Sequence, residues 1–359
     1  MKIAVLGSGN GGCAVAFDCA RAGHVVSIFD FESFPVNINA IRQNGGIHSE
    51  GQLQGFQQVA YAGFDIERAM KDAELIFVVG PAYSTGPFAE VCRPYLGKEQ
   101  VVVVCPGSCS GSLVFKAALG MAASDESRII AETSTLPYAV RLIEPGKIHV
   151  FLRLKDGILI SALPSRHTAH VKAMLSSVYP YMIPAKSVLQ TSLQNANPII
   201  HPSVTLLNAA LIERTKGDFF FYEEGVTRGV GRLIEALDKE RIALGKALGF
   251  DIIPDPELGM KQGYMQEATY DRGYSGAEGF LGIRAQSSLD YRYFNEDVGY
   301  GLVFLAELGK QVGVKTPVAD SVIALASVVM GRDYRGERAR TLERLGYGGF
   351  TLEELKTVL

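Results

Sequence analysis

The sequence predicts a two-domain α/β protein, a doubly wound parallel sheet followed by an almost entirely helical domain. Three observations lead there: a glycine-rich turn between an apolar strand and a helix at the N-terminus, short apolar runs alternating with helices through the first half, and long stretches of helical spacing beyond Pro184. With 359 residues the chain exceeds the usual size of one compact core.

The opening MKIAVLGSGNGGCAVAFDCARAGHVVSIFD carries the first argument. Ile3, Val5 and Leu6 read as a buried strand, Cys13–Ala22 lacks proline and glycine as a helix requires, Gly23 stops it, and Val25–Phe29 reads as a second strand ending at Asp30. Gly7, Gly9 and Gly12 fit G-x-G-x-x-G in that context. Gly7 permits the tight turn, Gly9 lets a pyrophosphate approach the backbone, and Gly12 allows close helix packing. The turn residues Gly7, Ser8, Gly9, Asn10, Gly11 and Gly12 would cradle the phosphates at the positive end of the helix, and Asp30 would accept hydrogen bonds from the adenosine ribose. This is the pattern of a Rossmann dinucleotide-binding domain; an ordinary glycine turn is the plain alternative. NAD is the expected cofactor. Because Phe31 and Glu32 rather than an arginine follow Asp30, a 2′-phosphate would meet two carboxylates, and NADH should be preferred to NADPH.

The remaining first-half elements fit the same sheet. A helix is expected over Pro35–Asn44, and GGIHSEGQLQG reads as a hairpin or loop. Strands are expected at Glu74–Gly80, Gln100–Cys105 and Arg128–Glu132, with helices near Pro87–Cys92 and Ser112–Leu119. Strand-end segments GPAYST, CPGSC and ETSTLPYAVR would rim the ligand crevice, or serve as simple turns. Further strands at Ile148–Leu152 and Ile158–Ser161 and a helix near His167–Val178 complete a first domain over residues 1–183. Residues 184–359 form the second, with helical spacing over Val188–Arg214, Glu223–Leu248, Asn295–Val312, Pro317–Met330 and Thr351–Leu359. Thr351 and Glu354 fit a capping box.

Composition narrows the partners. Charged residues are 20% of the chain, the formal net charge is −3, and no long Lys/Arg run occurs, so neither nucleic acid nor an anionic membrane is the expected partner. A small-molecule substrate is expected. The apolar runs Val101–Cys105 and Leu206–Ile212 are too short to span a bilayer, and Lys2 leads straight into the first strand; a cytoplasmic protein is expected. Cys13, Cys19, Cys92, Cys105 and Cys109 form no C-x-x-C pair and read as reduced, buried thiols rather than metal ligands.

Chemistry concentrates in SLQNANPIIHPSVTLLNA and SSLDYRYFNEDVGYGL. Asn197 and His201 stand four residues apart, on one face of a helix, and Pro198 and Pro202 would bend that helix and free carbonyls. A buried histidine satisfied by its neighbours is the alternative. Arg292 and Asp297 flank an aromatic turn, where Glu296 and Asp297 could equally cap a helix. Sequence spacing alone does not bring Asp297 to His201.

From GSGNGG through ETSTLPYAVR, NANPIIHPSVTLLNA, EGVTRGVGRLIEALDKER and DYRYFNEDVGYGL, the chain resembles the opine dehydrogenases, the octopine and nopaline dehydrogenase family. The resemblance covers nearly the full length. It implies a Rossmann domain plus a helical domain of the 6-phosphogluconate dehydrogenase C-terminal type, with the active site between them. It also implies NADH- or NADPH-dependent reductive condensation of an amino acid with a 2-oxo acid. Carried over by position, His201 matches the catalytic histidine, Asp297 its carboxylate partner and Arg292 a substrate-binding arginine, while Asn197 is the adjoining substrate-binding candidate. Gln286 and Gly299 stand where many relatives have proline, which bears on loop rigidity rather than on catalysis. A 2-hydroxyacid, ketopantoate or glycerol-phosphate type dehydrogenase on the same architecture is the rival enzyme, although such enzymes typically rely on a lysine. A non-catalytic dinucleotide sensor is the rival from another class. The oligomeric state is left open, a homodimer included.

Overall fold

Every backbone position of residues 1–359, and every side chain except those of residues 357 and 358, is described by a computed structural model. The chain forms two compact units, Met1–Thr191 with Leu359, and Ser192–Val358.

In the first unit an eight-stranded sheet is built from β1 (Lys2–Leu6), β2 (Val25–Phe29), β5 (Tyr61–Gly63), β6 (Leu75–Val78), β7 (Val101–Val104), β8 (Ile130–Thr133), β11 (Leu159–Leu163) and β12 (Ile183–Pro184). Their spatial order is β12-β11-β8-β7-β6-β1-β2-β5. All neighbours run parallel except β11, which runs antiparallel to β8. β6, β7 and β8 are buried at every position, which explains the unbroken apolar runs of β6 and β7: both faces of a parallel sheet are covered. The turn after β1 leads into the helix α1 (Asn10–Arg21), which buries Gly12–Cys19.

A second, four-stranded sheet has the order β4-β3-β10-β9, from β3 (Gly46–Gly51), β4 (Gly55–Gln58), β9 (Tyr138–Glu144) and β10 (Lys147–Arg153). The stretch GGIHSEGQLQG is therefore a hairpin, and its first strand pairs in parallel with β10, with His48 opposite Lys147. ETSTLPYAVR is only partly a strand-end turn, since Tyr138 onward forms β9. This sheet packs on α1. A buried ionic knot secures the contact: Asp18 on α1 accepts from Arg153 Nε at 2.6 Å, Arg21 Nη2 at 2.8 Å and Tyr138 Oη at 2.9 Å.

The second unit is helical. Its longest helix, Arg228–Leu248, ends at Gly249 in the left-handed region, a position glycine adopts without steric cost. Glu240 on it accepts from the backbone N–H of Val318 at 2.7 Å and of Ala319 at 2.9 Å, capping the Pro317–Met330 helix with negative charge. The helical spacing of Val188–Arg214 resolves into three helices, Val188–Gln194, Asn197–Leu207 and Ala209–Thr215. The breaks fall at Asn195–Ala196, where the Asn195 side chain accepts from Asn197 N–H at 3.1 Å, and at Asn208. Pro198 sits in a first turn, where a missing N–H costs nothing; only Pro202 is interior.

Candidate active site

The glycine turn has the shape its sequence demands. Gly7 has φ +111°, and a Cβ there would lie 2.0 Å from the Val79 carbonyl oxygen, while one on Gly12 would lie 1.9 Å from the Gly7 oxygen. Gly9 instead has no neighbour within 4 Å of a built Cβ, so the space above it is open to a ligand. Asp30, at the end of β2, accepts from Ser8 N–H at 2.7 Å and Ser8 Oγ at 2.6 Å through Oδ2, and from Phe31 N–H at 2.9 Å through Oδ1. It therefore fixes the turn from below as well as standing where a ribose is expected. Asn10 accepts from Leu142 N–H on β9 at 2.7 Å, and Gly11 packs against Leu136 and Val79. Asn37, which sequence reasoning missed, donates to the Ser8 carbonyl and to Cys13 Sγ and accepts from Gly146 N–H at 2.6 Å. An open, amide-lined turn at a helix N-terminus, with a carboxylate at the neighbouring strand end, fits the pyrophosphate and ribose of a dinucleotide.

The five cysteines are buried. Burial pushes the thiols of Cys13, Cys92 and Cys105 up to about 12 and that of Cys19 well above its ordinary value, so these sulfurs stay protonated and unreactive.

The second cluster lies wholly within the helical unit. His201, 4% exposed, projects from the Asn197–Leu207 helix. Its Nδ1 lies 2.8 Å from Asp297 Oδ2, its Nε2 3.1 Å from Tyr222 Oη, and its ring stacks on Tyr293 at a centroid distance of 4.1 Å. Asp297 opens a π-helical turn, Asp297–Leu302, which follows the short Arg292–Asn295 helix. Such turns widen the backbone and re-aim side chains, and they recur at functional sites. Close approach of the two elements depends on Gly301, where a Cβ would come within 2.6 Å of the Pro198 ring.

Arg292 lies over the same Tyr293 ring, 5.7 Å from its centroid, with Nη1 3.8 Å from Glu296 Oε2 and 44% of its side chain exposed. Burial works against its charge, but Glu296 and then Asp297 more than offset this and hold the guanidinium firmly protonated. Asn197 stands one turn before His201, part-exposed. Thus His201, Asp297 and Arg292 gather in one cluster. Tyr222 and Tyr293 were not identified from sequence; Tyr222 sits in the aromatic run FFFYEE and Tyr293 in the aromatic turn between Arg292 and Asp297. Gln286 is buried, and its Nε2 donates to Thr205 Oγ1 at 3.1 Å.

A carboxylate only accepts hydrogen bonds, so with Asp297 as a carboxylate the Nδ1 facing it is the nitrogen that carries the hydrogen, and Nε2 is left to accept. The pair has the geometry of an oriented general base beside a fixed cation.

Comparison with known proteins bears on the family of the chain. Residues 184–330 match the family described as NAD/NADP octopine/nopaline dehydrogenase, alpha-helical domain, and residues 2–111 match the NAD-dependent glycerol-3-phosphate dehydrogenase N-terminus. An opine dehydrogenase of Arthrobacter sp. (strain 1C) is 37% identical over 99% of this chain and 98% of its own. Protein ocs of Agrobacterium tumefaciens (strain Ach5) is 29% identical over 92% of each. The fold is shared with octopine dehydrogenase solved with NADH and agmatine, at a TM-score of 0.78 and 18% identity over 99% of this chain and 98% of that one. It is shared less closely with a ketopantoate reductase from Ralstonia eutropha JMP134, at a TM-score of 0.63 and 19% identity over 92% of this chain and 99% of that one. The chain belongs to the opine dehydrogenase family, NAD(P)-dependent oxidoreductases that act on CH–NH bonds.

Proposed function

We propose that this chain reductively condenses an amino acid with a 2-oxo acid at the expense of NADH, with His201 as acid–base and Arg292 as the grip on a substrate carboxylate. Residues 1–183 serve as the dinucleotide domain and 184–359 as the catalytic one. The observation that carries the reading is the 2.8 Å contact between His201 Nδ1 and Asp297 in a chain of this family.

The reaction needs one base near neutral pH used twice. The amino acid arrives as an ammonium, whose proton must leave before its nitrogen can attack the carbonyl carbon. His201 Nε2 takes that proton, and Asp297 stabilises the imidazolium that forms. The carbinolamine then loses its hydroxyl as water, taking the proton back and leaving a protonated imine. NADH, when bound, supplies the hydride that reduces the imine carbon. Arg292, permanently charged and planar, holds a carboxylate through two parallel hydrogen bonds and so fixes the carbonyl for attack. Asn197, one turn away, supplies a further polar contact.

Gly7, Ser8, Gly9, Asn10, Gly11 and Gly12 hold the pyrophosphate and Asp30 the ribose, with NADH preferred over NADPH. A reducing compartment such as the cytoplasm suits five buried cysteines.

The test is NADH oxidation across a panel of 2-oxo acids and amino acids. Oxidation that requires both partners supports the reading. Oxidation with the 2-oxo acid alone favours a hydroxyacid dehydrogenase, and none with any pair favours a sensor.

A further inference from the structure

We propose that Tyr222 is the outer member of an Asp297–His201–Tyr222 proton path, so that its phenolic oxygen, rather than the imidazole nitrogen, meets the substrate amine. This rests on the assignment of His201 as the base. With Nδ1–H committed to Asp297, Nε2 is left as an acceptor, and the Tyr222 hydroxyl lies 3.1 Å from it. The nitrogen that must accept the proton is thus already hydrogen-bonded by a side chain that is itself 5% exposed.

Two routes could bring a substrate proton to that nitrogen: the phenol swings away, or it conducts. The packing opposes swinging. Tyr222 stacks on Phe280 at 4.2 Å with the rings 14° from parallel, Phe280 stacks in turn on Tyr264 at 4.9 Å, and Phe221 meets Tyr222 edge-on at 5.0 Å. His201 is equally held, between Asp297 and the face of Tyr293. Rotation of the ring would forfeit these contacts, whereas reorientation of its O–H needs no heavy atom to move.

A phenol is suited to conduct because it both donates and accepts. In the forward step an N–H bond of the ammonium breaks as an O–H bond forms on Tyr222, while the original phenolic O–H breaks as Nε2–H forms. The phenol ends neutral and His201 ends as the imidazolium. Dehydration of the carbinolamine reverses the flow: Nε2–H returns its proton to the phenol, which protonates the departing hydroxyl as water.

The experiment compares Tyr222→Phe, His201→Asn, the double variant and Phe280→Ala for turnover, NADH affinity and Tm. Tyr222→Phe keeps the ring and its stacking and removes only the conducting atom. Its kcat should fall about 100-fold, within the range of lost proton transfer, with NADH affinity and Tm unchanged. The double variant should be no slower than His201→Asn, because the two residues act in series. Phe280→Ala keeps the hydroxyl but frees the ring, and should lose less than Tyr222→Phe. Turnover of Tyr222→Phe within about threefold of wild type, with His201→Asn inactive, would overturn the path and leave the base assignment standing. A loss that multiplies with that of His201→Asn, or that follows a fall in Tm or NADH affinity, would also overturn it, making Tyr222 structural. Near wild-type turnover in His201→Asn would remove the base itself and the path with it.

Discussion

Asp297 Oδ2 and His201 Nδ1, 96 residues apart in the chain, meet at 2.8 Å because Gly301 lets the π-helical turn lie directly on Pro198. The proline ring cannot retreat like the end of a flexible side chain. Gly301→Ala should therefore push the two elements apart, costing about 1–3 kcal/mol of stability, the usual price of overpacking. Turnover should fall more than NADH affinity, because the displacement falls on the His–Asp contact. Steady-state kinetics with a thermal melt would check this, and unchanged kcat and Tm would contradict it.

Arg292→Lys should be a poor replacement. An ammonium is a point charge without the planar fork that grips a carboxylate, and it would not cover the Tyr293 ring in the same way. The KM for one or both organic substrates should rise while NADH binding stays the same. Wild-type KM values for both would remove Arg292 from the site.

Cofactor choice follows from Asp30, whose carboxylate already holds Ser8 and which is succeeded by Phe31 and Glu32. A 2′-phosphate placed there meets like charge, so kcat/KM should be higher with NADH than with NADPH. Equal or better efficiency with NADPH would point to Arg42 and Arg68, which line a neighbouring pocket of about 500 Å³, as the cations that overcome the repulsion.

Stability should carry a pH signature from Asp255. Burial, and then the charge of Asp238, push its carboxyl up to about 6; Tyr274, which donates to it, and Arg241 act in the opposite direction. A carboxyl whose folded pKa exceeds its unfolded value favours folding while protonated, so its contribution is fully present below about pH 4 and is lost as pH rises through about 6. Asp255→Asn, which cannot ionise, should raise Tm relative to wild type at pH 7.5, with the gain shrinking towards pH 4. Melts across that range would show it; a gain independent of pH would contradict the assignment.

Local order explains what the sequence reveals. The strand, glycine turn, helix, strand and acid of the first 30 residues follow one another in the chain, so G-x-G-x-x-G and Asp30 could be read directly. The Pro317–Met330 helix was equally plain from its spacing and flanks. The four-stranded sheet was not, because β3 owes its place to pairing with β10 about a hundred residues away. A polar hairpin has no internal signal for such a partner. The His201–Asp297 pairing came from resemblance and not from spacing, and Tyr222 was hidden in FFFYEE, an aromatic run whose apolar bulk masks one hydroxyl. Asn37 was missed for a similar reason: its role is set by the turn it reaches across space.

The most direct test of the account is the turnover of His201→Asn, measured under saturating NADH on protein shown by NADH binding and a thermal melt to be folded. The account predicts a fall of about two to four orders of magnitude, the range of lost general acid–base catalysis, with both controls near wild type. Asp297→Asn should fall as well, and the double variant should be little worse than the poorer single one, because the pair acts as a unit. A His201→Asn protein that melts earlier yet turns over at close to the wild-type rate would contradict it, leaving His201 a structural histidine.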